Sequence, residues 1–462
     1  MRVVFLFLWY NLIMKLHFFG ATRIVTGSNY LLETGNAKIL IDCGIFQGTR
    51  YVEEKNYEDF PFNPKEIDFL LVTHAHLDHI GRIPKLYKDG FRGKIFTTRP
   101  TKDFARIMLE DGLGIMEKEA KNLKREPLFT ITDIEASLKL MEGIDYGQKI
   151  DLTPEVSCQF RDAGHILGSA IIEVWADGKK IVFSGDLGNP PVPLLKPTEF
   201  IDKADYIVIE STYGDRNHEA KKNRQDILEN AIEDTAAKGG VLMIPAFALE
   251  RTQELLYELN ELVENHRIPQ VPIFVDSPLA IKSLEIYKKY PDYYNKKATY
   301  LINSGDDLFK FPGLTFTETV EESKRINDIK PPKIIIAGSG MSTGGRILHH
   351  EIRYLPDPNS CLLIISYQVA GSLGRRVLDG EKEVKIFNET VPVRAEVKAV
   401  GAYSAHADQQ GLYNWLVRFE EPAKRIFVVH GEEGPALALV QLIRDHLGID
   451  ASAPMLNEVV EL

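Results

Sequence analysis

Three histidines and an aspartate fall within six positions of HAHLDH (His74, His76, Asp78 and His79), directly behind the apolar run FLLVT. Imidazole and carboxylate suit zinc, and a catalytic zinc keeps one position open for water. In a loop leaving a strand, His74 and His76 can point to one side while Asp78 and His79 serve a second point nearby. That spacing favours two adjacent metals over one; the alternative is a chance group of solvated loop histidines. Two metals need more ligands than these four. His165 in RDAGHILGSA, Asp186 in IVFSGDLGN and His430 in RIFVVHGEEG each end an apolar strand or sit beside a glycine. Asp42 in ILIDCG is better suited to orienting a ligand histidine. Any one of these could simply cap a turn, but together they complete a ligand set.

A second kind of chemistry is suggested further along. GSGMSTGGR and VAGSLGRR each place small residues between an apolar strand and a helix. Free N–H groups at a helix start bind phosphate, which makes Ser339, Gly340, Met341 and Gly374 candidate backbone holders. Arg346 and Arg375 stand within the first turn, where they could pair with phosphate. A tight structural turn is the equal alternative. Phe46 and Gln47, in GIFQG just after Asp42, are candidates for a wall of the same cleft.

The elements that must carry these residues change character along the chain. Short strands are expected at 15–19, 29–33, 38–44, 69–74, 94–98, 171–177 and 180–186, several alternating apolar with polar residues. Helical segments intervene at 101–123 and 132–142. This order suggests a sandwich of sheets flanked by helices. After about Tyr213 one unit repeats: buried strand, small-residue loop, amphipathic helix, at 239–263, 271–290, 332–355 and 360–380. Such alternation implies a parallel, Rossmann-like sheet. From about Val393 the first style returns. The expected organisation is therefore an N-terminal extension (1–14), a first domain in two parts (15–213 and 393–462) and an inserted domain (214–392).

HxHxDH followed by isolated His, Asp and His resembles the ligand order of the metallo-β-lactamase superfamily. The inserted domain, with VIESTYGD, YSAHAD and VVHGEEG, resembles the β-CASP branch of nucleic-acid-processing nucleases, in particular its short prokaryotic members and the nuclease subunit of the eukaryotic mRNA 3′-end cleavage machinery. The resemblance runs from about Lys15 to the C-terminus. It implies an α/β fold, the αββα sandwich with a β-CASP insertion. It also implies two Zn2+ per chain, one held by His74, His76 and His165, the other by Asp78, His79 and His430, with Asp186 bridging and water activated between them as nucleophile. In this family the acid of ESTYG, here Glu210, pairs with the histidine of SAHAD, here His406, so that His406 can donate a proton to the leaving oxygen. A strand-end salt bridge is the plainer account of that pair.

The implied function is a zinc-dependent ribonuclease acting on single-stranded RNA, endonucleolytic or 5′-exonucleolytic. A hydrolase of small esters, thioesters or lactams would need the ligands but neither the insertion nor Glu210 and His406. The 462 residues, 44% hydrophobic and 26% charged, are those of a globular protein. A net charge of −11 gives no support for a nucleic-acid binder from composition alone, although a basic groove can hide in an acidic chain. Cys43, Cys158 and Cys361 lie far apart in apolar stretches, as expected of buried thiols in the cytoplasm. RVVFLFLWYNLIM at the N-terminus is too short to span a bilayer; it reads as an extension upstream of Met14, with no stable membrane association expected. A homodimer remains an open assembly.

Overall fold

The structure, a computed structural model, describes residues 14–218, 224–369 and 371–462. The apolar segment read as an N-terminal extension falls almost wholly outside the described residues. Met14 itself is buried, and its carbonyl accepts from Leu462 N–H at 2.9 Å.

Two seven-stranded sheets face each other. The first runs Glu458–Glu461, Lys15–Phe18, Tyr30–Glu33, Lys38–Ile41, Phe69–Leu71, Lys94–Thr98, Met141–Ile144. The second runs Ala451–Ser452, Arg425–Val429, Tyr206–Glu210, Lys179–Phe183, Ala170–Ala176, Val156–Asp162, Lys149–Thr153. Alternating residues send one face inward, so Leu16, Phe18, Ile39, Ile41, Phe160, Ile172, Phe183 and Phe427 fill the space between the sheets. Helix Arg99–Leu123 covers the first sheet with Phe104, Ala105 and Leu109. Thr98 caps it by accepting from Thr101 N–H, and Pro100 fits its first turn. Helices Gln409–Val417 and Glu433–Leu447 cover the second sheet through Leu412, Trp415, Leu439 and Ile443.

The third sheet is wholly parallel, in the order Leu314–Phe316, Ile273–Asp276, Lys333–Ala337, Val241–Pro245, Cys361–Ile364, Glu396–Ala399. Its inner strands are buried on both faces, which is why VLMIP, KIIIA and CLLI are continuous apolar runs without alternation.

Two sequence expectations are corrected. The helix expected over 132–142 ends sooner: Ile131–Leu138 is helical, and Met141–Ile144 becomes an edge strand pairing with Lys94–Thr98. The expected return to the first domain at 393 comes too early, because Glu396–Ala399 pairs in parallel with Cys361–Ile364 of the inserted sheet. Its residue types alternate polar and apolar like those of a first-domain strand, although as an edge strand it is half-buried to exposed throughout.

The chain thus leaves the sandwich after Tyr206–Glu210 and re-enters after Glu396–Ala399. The two crossings lie side by side: Tyr213 and Asp408 form a parallel bridge, Gln409 N–H donates to Arg216 O at 3.0 Å, and His218 N–H donates to Asp408 at 3.1 Å. No helix among the described residues is long and apolar enough to cross a membrane.

Candidate metal centre

All seven expected ligands converge at one rim of the sandwich, at the ends of strands or in the loops that follow them. His74, His76, Asp78 and His79 lie in the loop and short helix after Phe69–Leu71. Gly44 lets the neighbouring strand end press against them: a Cβ there would sit 1.6 Å from Asp78 O. Asp42 and His430 both adopt left-handed backbone, with φ of 57° and 48°. Asp and His tolerate this region better than most residues, but it still stores strain of order 1–3 kcal/mol each, of the kind concentrated at functional sites.

The ligand atoms form two clusters. In one, His74 Nε2 lies 3.1 Å from His76 Nδ1, which lies 3.3 Å from His165 Nε2; Asp186 Oδ2 is 3.4 Å from His74 and 3.6 Å from His165. In the other, His79 Nε2 lies 3.1 Å from His430 Nε2, which lies 3.3 Å from Asp78 Oδ2; Asp186 Oδ2 is 3.4 Å from His79. Zinc arms of about 2.0–2.1 Å in a tetrahedron put ligand atoms ~3.3 Å apart. Both clusters fit that spacing, and Asp186 Oδ2 is common to them. Asp186 Oδ1 is buried and accepts no hydrogen bond, an expensive state for a carboxylate without a cation.

Protonation preferences point the same way. Burial, with the neighbouring rings His79 and His406 next, pushes His74 and His165 below the usual histidine range. Burial and His74 take His76 down to about 3. These three rings are therefore neutral, with lone pairs free for a metal. At His79 burial opposes charge, but Asp186, Asp42 and Asp78 outweigh it and raise the pKa well above the ordinary value. That concentration of negative potential would hold a cation where a proton would otherwise sit.

Orienting partners stand behind the ligands. Asp42 accepts from Thr73 N–H and Thr73 Oγ1–H, both at 2.8 Å, and from His79 Nδ1 at 2.7 Å, which turns His79 Nε2 into the centre. The Thr73 hydroxyl has given its only proton to Asp42, so at 3.1 Å it accepts from His74 Nδ1–H and leaves His74 Nε2 as the ligand atom. Sequence reasoning missed Thr73. Its only signal was its place immediately before HAHLDH.

Glu210 and His406 adjoin both clusters: the His406 ring lies 4.6 Å from that of His165, and Glu210 groups with Asp186 and His430. Glu210 is fully buried and accepts from Leu187 N–H at 2.6 Å. Its Oε2 lies 3.1 Å from His406 Nδ1, and the same nitrogen is 4.0 Å from Asp186 Oδ2. Burial opposes charge on His406, but Glu210, then Asp186 and Asp78, hold its pKa up at about 9. Bound cations would draw it down from there towards neutrality. Thr212 also went unread in the sequence. Its hydroxyl lies 3.3 Å from His406 Nδ1 and 3.4 Å from His430 Nδ1, linking the pair to the ligands.

The candidate phosphate loops divide. Gln47 faces Met341 and the 342–345 turn across a cavity of about 570 Å³ between the domains. Ser339 lies half-buried in the same loop, and Phe247 joins that loop to the metal centre, its ring 6.5 Å from His76 and close enough to forbid a Cβ at Gly340. Gly374 N–H donates to Met341 O at 3.1 Å, and a Cβ there would lie 2.0 Å from Gln368 Oε1, so close loop packing accounts for this glycine. Phe46 is buried beneath the Arg82 guanidinium, 4.7 Å from it, as part of the core rather than a surface for a base. Arg346 is also placed differently from the expectation. It donates to Asp276 at 2.7 Å and to the carbonyls of Thr317 and Glu318, which makes it an internal strut. Arg375 is more exposed and pairs with Asp379 four residues on.

This sandwich with its inserted parallel sheet and strand-end histidine clusters defines a class, and comparison with known proteins agrees. Residues 31–205 match the metallo-beta-lactamase superfamily domain, 252–377 the Beta-Casp domain, and 390–454 the Zn-dependent metallo-hydrolase RNA specificity domain. The chain belongs to the β-CASP family of the metallo-β-lactamase superfamily. It is 40% identical to Ribonuclease TTHA0252 of Thermus thermophilus, over 92% of this chain and 95% of that one. It is 32% identical to the RNase J-like protein of Methanocaldococcus jannaschii, over 97% and 99%. It is also 32% identical to the transcription termination factor FttA of Methanosarcina mazei, over 96% of this chain and 71% of that one. A crystal structure of a protein of unknown function from Enterococcus faecalis V583 shares the fold, with a TM-score of 0.53 at 13% identity, covering 97% of this chain and all of that one.

Proposed function

We propose that the chain is a zinc-dependent ribonuclease that hydrolyses phosphodiester bonds of single-stranded RNA with two zinc ions, one in each histidine cluster. The observation that carries this reading is the Glu210–His406 pair, set beside the shared ligand Asp186 on the two crossings of the inserted domain. A hydrolase of small esters, thioesters or lactams needs the ligands but not this pair. The near end-to-end match to a relative named a ribonuclease supports it.

The zinc pair would supply Lewis acidity for the phosphate oxygens and a water acidified to near neutrality. The remaining work belongs to the chain. His74, His76 and His165 present neutral nitrogens, Asp78, His79 and His430 the second set, and Asp186 one oxygen to both. Glu210 orients the His406 ring through Nδ1 and favours its protonated form, leaving Nε2 to protonate the leaving oxygen. General-acid help of this kind contributes about 10²–10⁴-fold. RNA would lie in the cleft walled by Gln47, the 341–345 turn and the 371–376 segment, with Arg375 near a phosphate on the adjoining cavity lined by Tyr213, Arg216 and Tyr367. Three reduced, buried cysteines support a cytoplasmic setting.

The test is cleavage of single-stranded RNA by the zinc-loaded protein and by Asp186→Ala. The reading requires the variant to be inactive; full nuclease activity in it would overturn the metal assignment.

A further inference from the structure

The stretch 403–407, which carries His406, is suspended between the two domains. The loop after Asp186 holds it along its length: Asn189 Nδ2 donates to Ser404 O at 3.1 Å, His406 bridges to Gly188, and Ala407 N–H donates to Leu187 O at 2.8 Å. At its near end it is gripped by one face of the insert's helix Arg251–Glu264. Arg251 donates to the main-chain oxygen of Tyr403 and to Glu254, and the Tyr403 phenol donates to Glu258. Arg224 donates to Glu258 at 2.7 Å and stands 5.4 Å from the Tyr403 ring centroid. Tyr403 is fully buried, and Arg251 and Glu258 nearly so.

We propose that Arg251, Glu258 and Tyr403 form a clamp through which the inserted domain positions His406 against Glu210. None of the three is a catalytic residue. Positions 251, 254 and 258 recur at helical spacing, so a single rigid face fixes both the backbone and the side chain of Tyr403, three residues before His406. With Ser404, His406 and Ala407 tied to the loop after Asp186, the insert's hold on Tyr403 sets the angle at which the imidazole meets Glu210. A slack clamp leaves the metal ligands and RNA contacts in place but lets His406 drift from the leaving oxygen. Rate is sensitive to such drift, since a misplacement of about 1 Å costs up to ~10²-fold.

This proposal rests on His406 acting as the proton donor. The experiment compares Tyr403→Phe, which removes the phenol hydroxyl alone, and Arg251→Lys, which keeps the charge but replaces the Nη1 that reaches both Tyr403 O and Glu254, in wild-type and His406→Ala backgrounds. Single-stranded RNA is the substrate, under single-turnover and steady-state conditions, with bound zinc and thermal melting measured alongside. In the wild-type background each variant lowers kcat by about tenfold, with KM, zinc content and melting preserved. In the His406→Ala background neither lowers the rate further, because both act through the missing ring. Full activity of Tyr403→Phe, a further loss in the His406→Ala background, or loss of zinc would overturn the clamp. Cleavage by His406→Ala itself at the wild-type rate would instead sink the proton-donor role, independently of Tyr403.

Discussion

His406 Nδ1 lies 3.1 Å from Glu210 Oε2, although 196 residues separate them. They meet because the chain leaves the sandwich just after one and re-enters just before the other, and the two crossings bridge at Tyr213 and Asp408. Inserting a whole domain at this point brings a proton donor to the edge of the metal centre. His406→Ala should therefore slow RNA cleavage by about 10²–10⁴-fold, while metal analysis finds the same zinc content per chain as in the wild type. Loss of zinc in that variant would make His406 a ligand.

Asp42 is not in either ligand cluster but accepts from the ligand His79 and from Thr73 together. Removing such an orienting carboxylate typically weakens metal binding by about 10–100-fold. Asp42→Ala should lose zinc to a chelator more readily by that factor, and first from the cluster containing His79, which Asp42 contacts directly. Equal retention of both ions would remove Asp42 from this role.

The metal centre was the most legible part of the sequence. Its ligands are rare residue types at strand ends, and HAHLDH has little use as packing. Thr73 and Thr212 were not legible, because their contribution is a hydroxyl placed between rings from distant segments, and threonine is common at strand ends. The strand Glu396–Ala399 reads as part of the sandwich because EVKA alternates polar and apolar residues, whereas it pairs at the edge of the inserted parallel sheet. Arg346 and Gly374 looked like phosphate contacts because loop packing and anion binding select the same small residues and cations. Only the partners Asp276, Gln368 and Met341 distinguish them.

The two arginines should separate in experiment. Arg375→Gln is expected to weaken RNA binding and reduce the slope of log affinity against log salt by about one, with unchanged melting. Arg346→Gln should leave that slope alone and destabilise the fold by roughly 1–3 kcal/mol, the cost of depriving a buried carboxylate of a charged donor. An unchanged slope in both would return the two loops to purely structural work.

Asp276 also carries a pH dependence. Burial opposes its charge, but donors from His350, Ser323, Thr317 and Arg346 hold its pKa down at about 2. A depressed carboxylate contributes stability that is fully present above its unfolded value, near 4, and is lost as pH falls towards 2. Asp276→Asn should therefore flatten the stability profile of the protein between about pH 4 and pH 2, as followed by denaturant unfolding. A profile identical to wild type would contradict this account of the cluster.

The central claim is that the two clusters and the His406–Glu210 pair together cut RNA. The most direct measurement is a time course with zinc-loaded protein on single-stranded RNA labelled at the 5′ or 3′ end, alongside a generic ester. Cleavage of the RNA with the ester left intact, whether as internal fragments or released mononucleotides, is the predicted result. Turnover of the ester with the RNA intact would contradict it.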